Sequence, residues 1–138
     1  VDGGGVGGGV IDQLRLTGYG KIVREVQSGS SADKPNRYYN KRAEMWGLMA
    51  EWLRVGAIPA DRELMDDLKA PERDWRGERL IVESKDDMEA RGIASPDHGD
   101  ALAHTFAGPV ARADLPFLQQ FQGAPAAARG ADFDVFGR

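Results

Sequence analysis

One segment restricts the possible folds more than any other: YYNKRAEMWGLMAEWLRV, from Tyr38 to Val55. Its apolar residues Tyr39, Ala43, Trp46, Met49, Ala50 and Leu53 recur with helical period, and Met45, Leu48 and Trp52 widen the stripe. An apolar face that broad does not suit a lone surface helix, so other elements must pack against it. Gly56 is expected to end this helix.

The flanking sequence supplies those elements. IPADRELMDDL predicts a second, shorter helix capped by Asp61, with Leu64, Met65 and Leu68 facing inward. DWRGERLIVES reads as a hairpin with its turn at Arg76-Gly77 and a return strand from Leu80 to Val82. KDDMEARG is a short charged helix, and SPDHGDALAHTFAG a further helix with Ser95 as its cap and Pro96 in its first turn. Upstream, Val10, Ile11, Leu14 and Leu16 keep helical spacing, Lys21 to Gln27 alternates like a strand, and SGSSADKPN is a loop. Beyond Gly108 prolines and the run APAAARGA erase any period. The expected organisation is therefore an ordered domain over 1–108 and a weakly ordered tail over 109–138, whose Phe117, Phe121, Phe133 and Phe136 suit it to order on a protein partner.

Composition narrows the function. With 41% hydrophobic and 29% charged residues in 138, the chain has the make-up of a soluble globular domain. The absence of cysteine rules out disulfides and thiolate metal sites. No apolar run approaches the ~20 residues of a membrane helix, so the expected location is the cytoplasm. A net charge of −4 means that any contact with nucleic acid has to come from a local patch.

The run VDGGGVGGG admits three readings. It could be a flexible linker. It could be a dinucleotide loop, since Gly3, Gly5 and Gly8 satisfy G-x-G-x-x-G and Glu25 lies where a ribose-binding acid would sit. Or it could be a turn that sets Asp2 at the rim of a site, where backbone can approach a phosphate or metal closely. No Gly-Lys-Ser/Thr follows, which excludes a phosphate loop of the ATPase type.

The third reading needs a second carboxylate, and SPDHGDAL offers two. Asp97 and Asp100, three apart at a helix start, can point the same way and with Asp2 line a pocket for hard divalent cations. The plainer alternative makes Asp97 a first-turn acid favoured by the helix dipole and Asp100 a solvated charge. His98 and His104 are not a helical pair, and imidazole is a poor ligand for magnesium, so both read as structural or surface residues.

In order, VDGGGVGGGVIDQL, a strand, YYNKRAEMWGLMAEWL, IPADRELMDDL, RLIVESKDDMEARG and SPDHGDALAHTFA resemble the C-terminal nuclease domain of tailed-phage terminase large subunits, over about Val1 to Ala107. The resemblance implies an α/β, RNase H-like mixed sheet flanked by helices. It implies an endonuclease that uses clustered acids with Mg2+ or Mn2+ to cut double-stranded DNA during viral packaging, in an infected or lysogenic bacterial host. Carried onto this chain, the acid before the glycine turn is Asp2 and the late acid is Asp97, supported by Asp100. In that family a further catalytic aspartate stands on an earlier strand, so the sheet is expected to be incomplete at the N-terminus and cleavage impaired. An inactive module docking on portal protein or small terminase subunit is the alternative, with the nucleotide-binding module behind it.

The other candidates have ordinary readings as well. Asn40, Lys41 and Arg42 at the head of the long helix could touch DNA phosphates, or simply form an exposed helix start. Lys85 could meet a phosphate, or belong with Glu83, Asp86 and Asp87 to a solvated charge run. Trp46 and Trp52 read as core.

Overall fold

The computed structural model describes residues 1–4 and 7–109. The expected tail, with its four phenylalanines, lies outside the described residues except at its first position. So does Gly5 of the glycine run.

Helix α1 spans Gly7–Leu14, starting three residues before its first expected apolar position, and passes into a π-helical turn over Arg15–Tyr19. The strand expected over Lys21 to Gln27 shrinks to one parallel bridge, Asp2 with Val26. There the Gly3 N–H donates to Val26 O at 2.8 Å and the Val26 N–H to Val1 O at 3.0 Å. The alternation fails to become a strand because its apolar face is covered only at one end: Val26 is buried, whereas Ile22, four residues earlier on the same face, is 78% exposed.

Helix α2, Lys41–Leu53, is the expected long helix. Asn40 caps it by accepting from the Ala43 N–H at 2.9 Å. Tyr38, Ala43, Met45, Trp46 and Met49 are buried and form one cluster with Leu68, Leu80, Val82 and Ala103, so the broad stripe is covered from several sides. Trp52, expected in the core, is half-exposed and lies against Phe106 with ring centroids 5.7 Å apart. Packing at Tyr38 depends on Gly47, where an added Cβ would stand 2.4 Å from the ring.

Helix α3, Arg62–Lys69, has the expected cap: Asp61 accepts from the Leu64 N–H at 2.9 Å. Strands β1, Arg73–Arg76, and β2, Arg79–Val82, form the hairpin, with the turn one residue later than expected, at Gly77 and Glu78. Gly77 takes φ +64°, a conformation that favours glycine. The other edge of β2 meets the chain before α2, in a parallel bridge between Tyr38 and Leu80. The described residues thus form a mixed helix-and-strand fold with a two-stranded antiparallel sheet. That is less than the mixed sheet implied by the resemblance.

Helix α4, Lys85–Ala90, is capped by Ser84, and helix α5 spans Asp97–His104. Ser95 does not cap α5. Its hydroxyl donates to the Asp97 carboxylate at 2.7 Å, and Pro96 holds the cap position. The free N–H groups are served from another helix: Asp67 of α3 accepts from His98 N–H at 2.8 Å and Gly99 N–H at 3.3 Å. This ties α3 to α5 and fixes the direction in which α5 presents Asp100.

Candidate active site

The glycine run has a steric reason at Gly7. A Cβ on Gly7 would fall 1.8 Å from the carbonyl oxygen of Asp2, so α1 can begin against that carbonyl only if the residue is glycine. The turn also fixes Asp2, whose Oδ1 accepts from the Gly4 N–H at 3.0 Å. The Glu25 carboxylate accepts from the Gln27 amide at 2.9 Å and from Arg15 at 3.3 Å.

Asp2 and Asp100 line the same cleft, a space of about 920 Å³. Its other walls come from the loop at Gln27 to Gly29, from Asn40 and Arg42, from the hairpin and from the Glu83 to Lys85 corner. Asp97 is not on the cleft wall; its side chain is 81% exposed. Lys85 connects the two helix acids, its Nζ lying 3.1 Å from Asp100 Oδ2 and 4.0 Å from Asp97 Oδ1.

Asp100 is the most tightly held of the three. Only 13% of its side chain is exposed. Oδ1 accepts from the indole Nε1–H of Trp46 at 2.8 Å and lies 3.4 Å from the Arg42 guanidinium. Arg42 also donates to the Glu83 carbonyl and sits over the Trp46 ring, 5.8 Å from its centroid. Two cations and an indole therefore aim one carboxylate into the cleft.

Of the residues proposed to meet phosphates, Asn40, Arg42 and Lys85 reach the cleft. Lys41 does not. Its side chain turns inward, only 10% exposed, and bonds Asp33 at 2.8 Å and Glu44 at 2.9 Å. Burial pulls its pKa down, but the hydrogen bonds to Asp33 and Glu44 outweigh that and hold it above the ordinary lysine value. At the cleft corner, hydrogen bonds from Arg91 at 2.6 and 2.7 Å hold the Glu83 carboxyl below its ordinary range.

The sequence reading passed over the hairpin. Arg73 and Arg76 of β1 line the cleft, and Arg76 and Arg79 lie over the Tyr39 ring at 4.7 and 4.9 Å. The local signal was present in RDWRGER, where strand alternation puts Arg76 on a different face from Trp75. His104, read from the sequence as a structural or surface residue, has its Nε2 buried 3.9 Å from Asp2 Oδ2. Nothing in the local sequence brings those two together, because they are 102 residues apart.

No protein-family model matches the sequence, and no curated protein matches it. Solved structures do match, and the fold they share with this chain is that of the nuclease domain of a bacteriophage large terminase subunit. The particular structures are those of the nuclease domain of the large terminase subunit gp2 of bacterial virus Sf6, and of a lysine-to-alanine mutant of it with manganese. Each is 24% identical to this chain with a TM-score of 0.62, over 78 to 79% of this chain and 64% of the other. A form with calcium matches at the same TM-score. The chain thus spans just under two thirds of the length of the structures whose fold it shares.

Proposed function

We propose that this chain provides the cation- and DNA-facing part of a metal-dependent endonuclease that cuts double-stranded viral DNA for packaging. The observation that carries this reading is the sharing of one cleft by Asp2 and Asp100, with Arg42, Arg73, Arg76 and Lys85 set among the further acids Glu72, Asp74, Glu83 and Asp87, in a fold shared with a terminase nuclease domain. Carboxylate oxygens are the donors that Mg2+ and Mn2+ take. Their number is the difficulty: among the described residues no group of three His, Asp or Glu side chains could hold a metal ion. We therefore assign Asp2 and Asp100 as two of the ligands and expect a further acid from outside the described residues.

Asp2 and Asp100 would help to hold a divalent ion, whose chemistry would be to activate a water and neutralise charge at the scissile phosphate. The chain's own groups do the positioning. Trp46 and Arg42 fix the Asp100 carboxylate before any ligand arrives, so little reorganisation is needed. Lys85, half-exposed, can leave the Asp100 carboxylate for a phosphate oxygen, and the hairpin arginines face the same space. Asp97, held by Ser95, stands within reach of Lys85 as a supporting acid. Portal protein and small terminase subunit are proposed partners of the tail. Among the described residues no helix is long and apolar enough to cross a membrane.

The test is nicking of supercoiled plasmid by the purified chain in Mg2+ and in Mn2+. Weak nicking in Mn2+ that disappears in both Asp2→Asn and Asp100→Asn is the expected result. Cutting that survives both substitutions would overturn the reading, and fast cutting abolished by either would show that two acids suffice.

A further inference from the structure

Two arginines at the tip of the hairpin stand where packing alone would not put them. Arg76 of β1 and Arg79 of β2 are direct cross-strand partners, so two like charges share one face of the sheet, an arrangement that costs stability. Among the described residues neither forms an ion pair with a carboxylate. Other cations around the cleft do: Arg42 and Lys85 meet Asp100, and Arg91 meets Glu72 and Glu83. Asp74, on the same strand face as Arg76, accepts from the Trp75 N–H at 2.7 Å instead.

What holds the pair is Tyr39. Its ring centroid lies 4.7 Å from the Arg76 guanidinium carbon and 4.9 Å from that of Arg79, and its hydroxyl accepts from Arg76 Nη1 at 2.9 Å. The ring is fixed in turn, since the Tyr39 N–H donates to Leu80 O at 2.9 Å and the Leu80 N–H to Arg37 O at 2.8 Å. An aromatic face attracts a guanidinium but leaves its charge intact. The result is two ordered, uncompensated positive charges at the edge of the cleft, with Arg76 on its wall and Arg79 across the strand pair.

We propose that Arg76 and Arg79, with Tyr39 as their platform, clamp a backbone phosphate of duplex DNA at the rim of the cleft. This rests on the nuclease reading and deepens it by giving the DNA an anchor independent of the cation. A phosphate presents several anionic oxygens to planar donor forks, which suits two adjacent guanidiniums. Because the ring already orders both side chains, little rotamer freedom is lost on binding. Such a contact sets the register of the duplex without reading its sequence.

Fluorescence anisotropy of a labelled duplex with the full chain, in EDTA and over a range of salt, reads the clamp without any metal. Arg76→Gln/Arg79→Gln is expected to weaken binding about tenfold and to make the plot of log affinity against log salt less steep by about 1, equally for two duplexes of unrelated sequence. Arg54→Gln/Arg62→Gln, which removes the same charge from the end of α2 and the start of α3, is expected to change both by much less. Arg76→Lys/Arg79→Lys keeps the charges without the planar forks, so the slope should stay while affinity falls about threefold. Circular dichroism of the glutamine variant identical to the parent assigns its loss to the charges and not to the fold. Losses no larger than those of the control pair, or confined to one duplex sequence, would overturn the clamp, and Mn2+ nicking that still depends on Asp2 and Asp100 would leave the nuclease reading standing. The expected losses in a chain that never nicks DNA would uphold the clamp and count against the nuclease.

Discussion

Glu44→Ala is expected to cost about 3–5 kcal/mol of folding stability, more than loss of any of the cleft side chains. The residue is 1% exposed, and its carboxylate accepts from the Asp33 N–H at 2.8 Å, the Lys34 N–H at 3.0 Å and Lys41 Nζ at 2.9 Å. Removing it orphans two backbone donors and leaves a largely buried ammonium with only Asp33 beside it. The loop before α2 would lose its anchor, and with it the position of Asn40 and Arg42. Because the pKa of Lys41 is raised, the stabilisation of its ammonium is complete below the ordinary value of 10.5 and is lost only as pH rises through the higher folded value. The cost should therefore stay constant between about pH 7 and 9. Urea denaturation of parent and variant checks both statements; a loss below about 1 kcal/mol would place the cluster among ordinary surface ion pairs.

Asp100→Ala comes next, with an expected loss of about 2–4 kcal/mol. It strips the acceptor from the buried Trp46 indole and a counter-charge from Arg42, which is only 11% exposed. The contact with half-exposed Lys85 adds little, since solvent screens it. Asp100→Asn separates structure from charge: its amide oxygen can still accept from Trp46, so most of the stability should return. A Trp46 emission spectrum altered in Asp100→Ala and near-native in Asp100→Asn would support this division. Equal losses in the two variants would mean that charge, and not the indole hydrogen bond, holds Asp100 in place.

These residues mark where a linear reading succeeds. The α2 stripe, the Asp61 cap, the hairpin and α4 are legible because each depends on neighbours within a turn or a strand. The candidate acids Asp2 and Asp100 are legible too, as residues at element ends beside glycine or a helix start. What escapes is pairing over distance. Ser95 looks like the cap of α5, but Asp67 of α3 does that work from 31 residues away. Lys41 carries the signature of an exposed helix start, yet Asp33 and Glu44 draw it inward. The strand at Lys21 to Gln27 has the right alternation without the neighbours a strand needs. His104 is not a helical partner of His98, and only the fold aims its free nitrogen at Asp2.

The central claim is that Asp2 and Asp100 act on one cation in one cleft, and a double-mutant cycle on Mn2+ binding measures it most directly. Calorimetric titration of the parent, Asp2→Asn, Asp100→Asn and the double variant would give the four affinities. Each single substitution is expected to weaken Mn2+ about tenfold or more, and the double variant to lose less than the sum of the two free-energy changes, because both ligands serve one ion. Mn2+ affinity unchanged by either substitution, or strictly additive losses, would contradict a shared site.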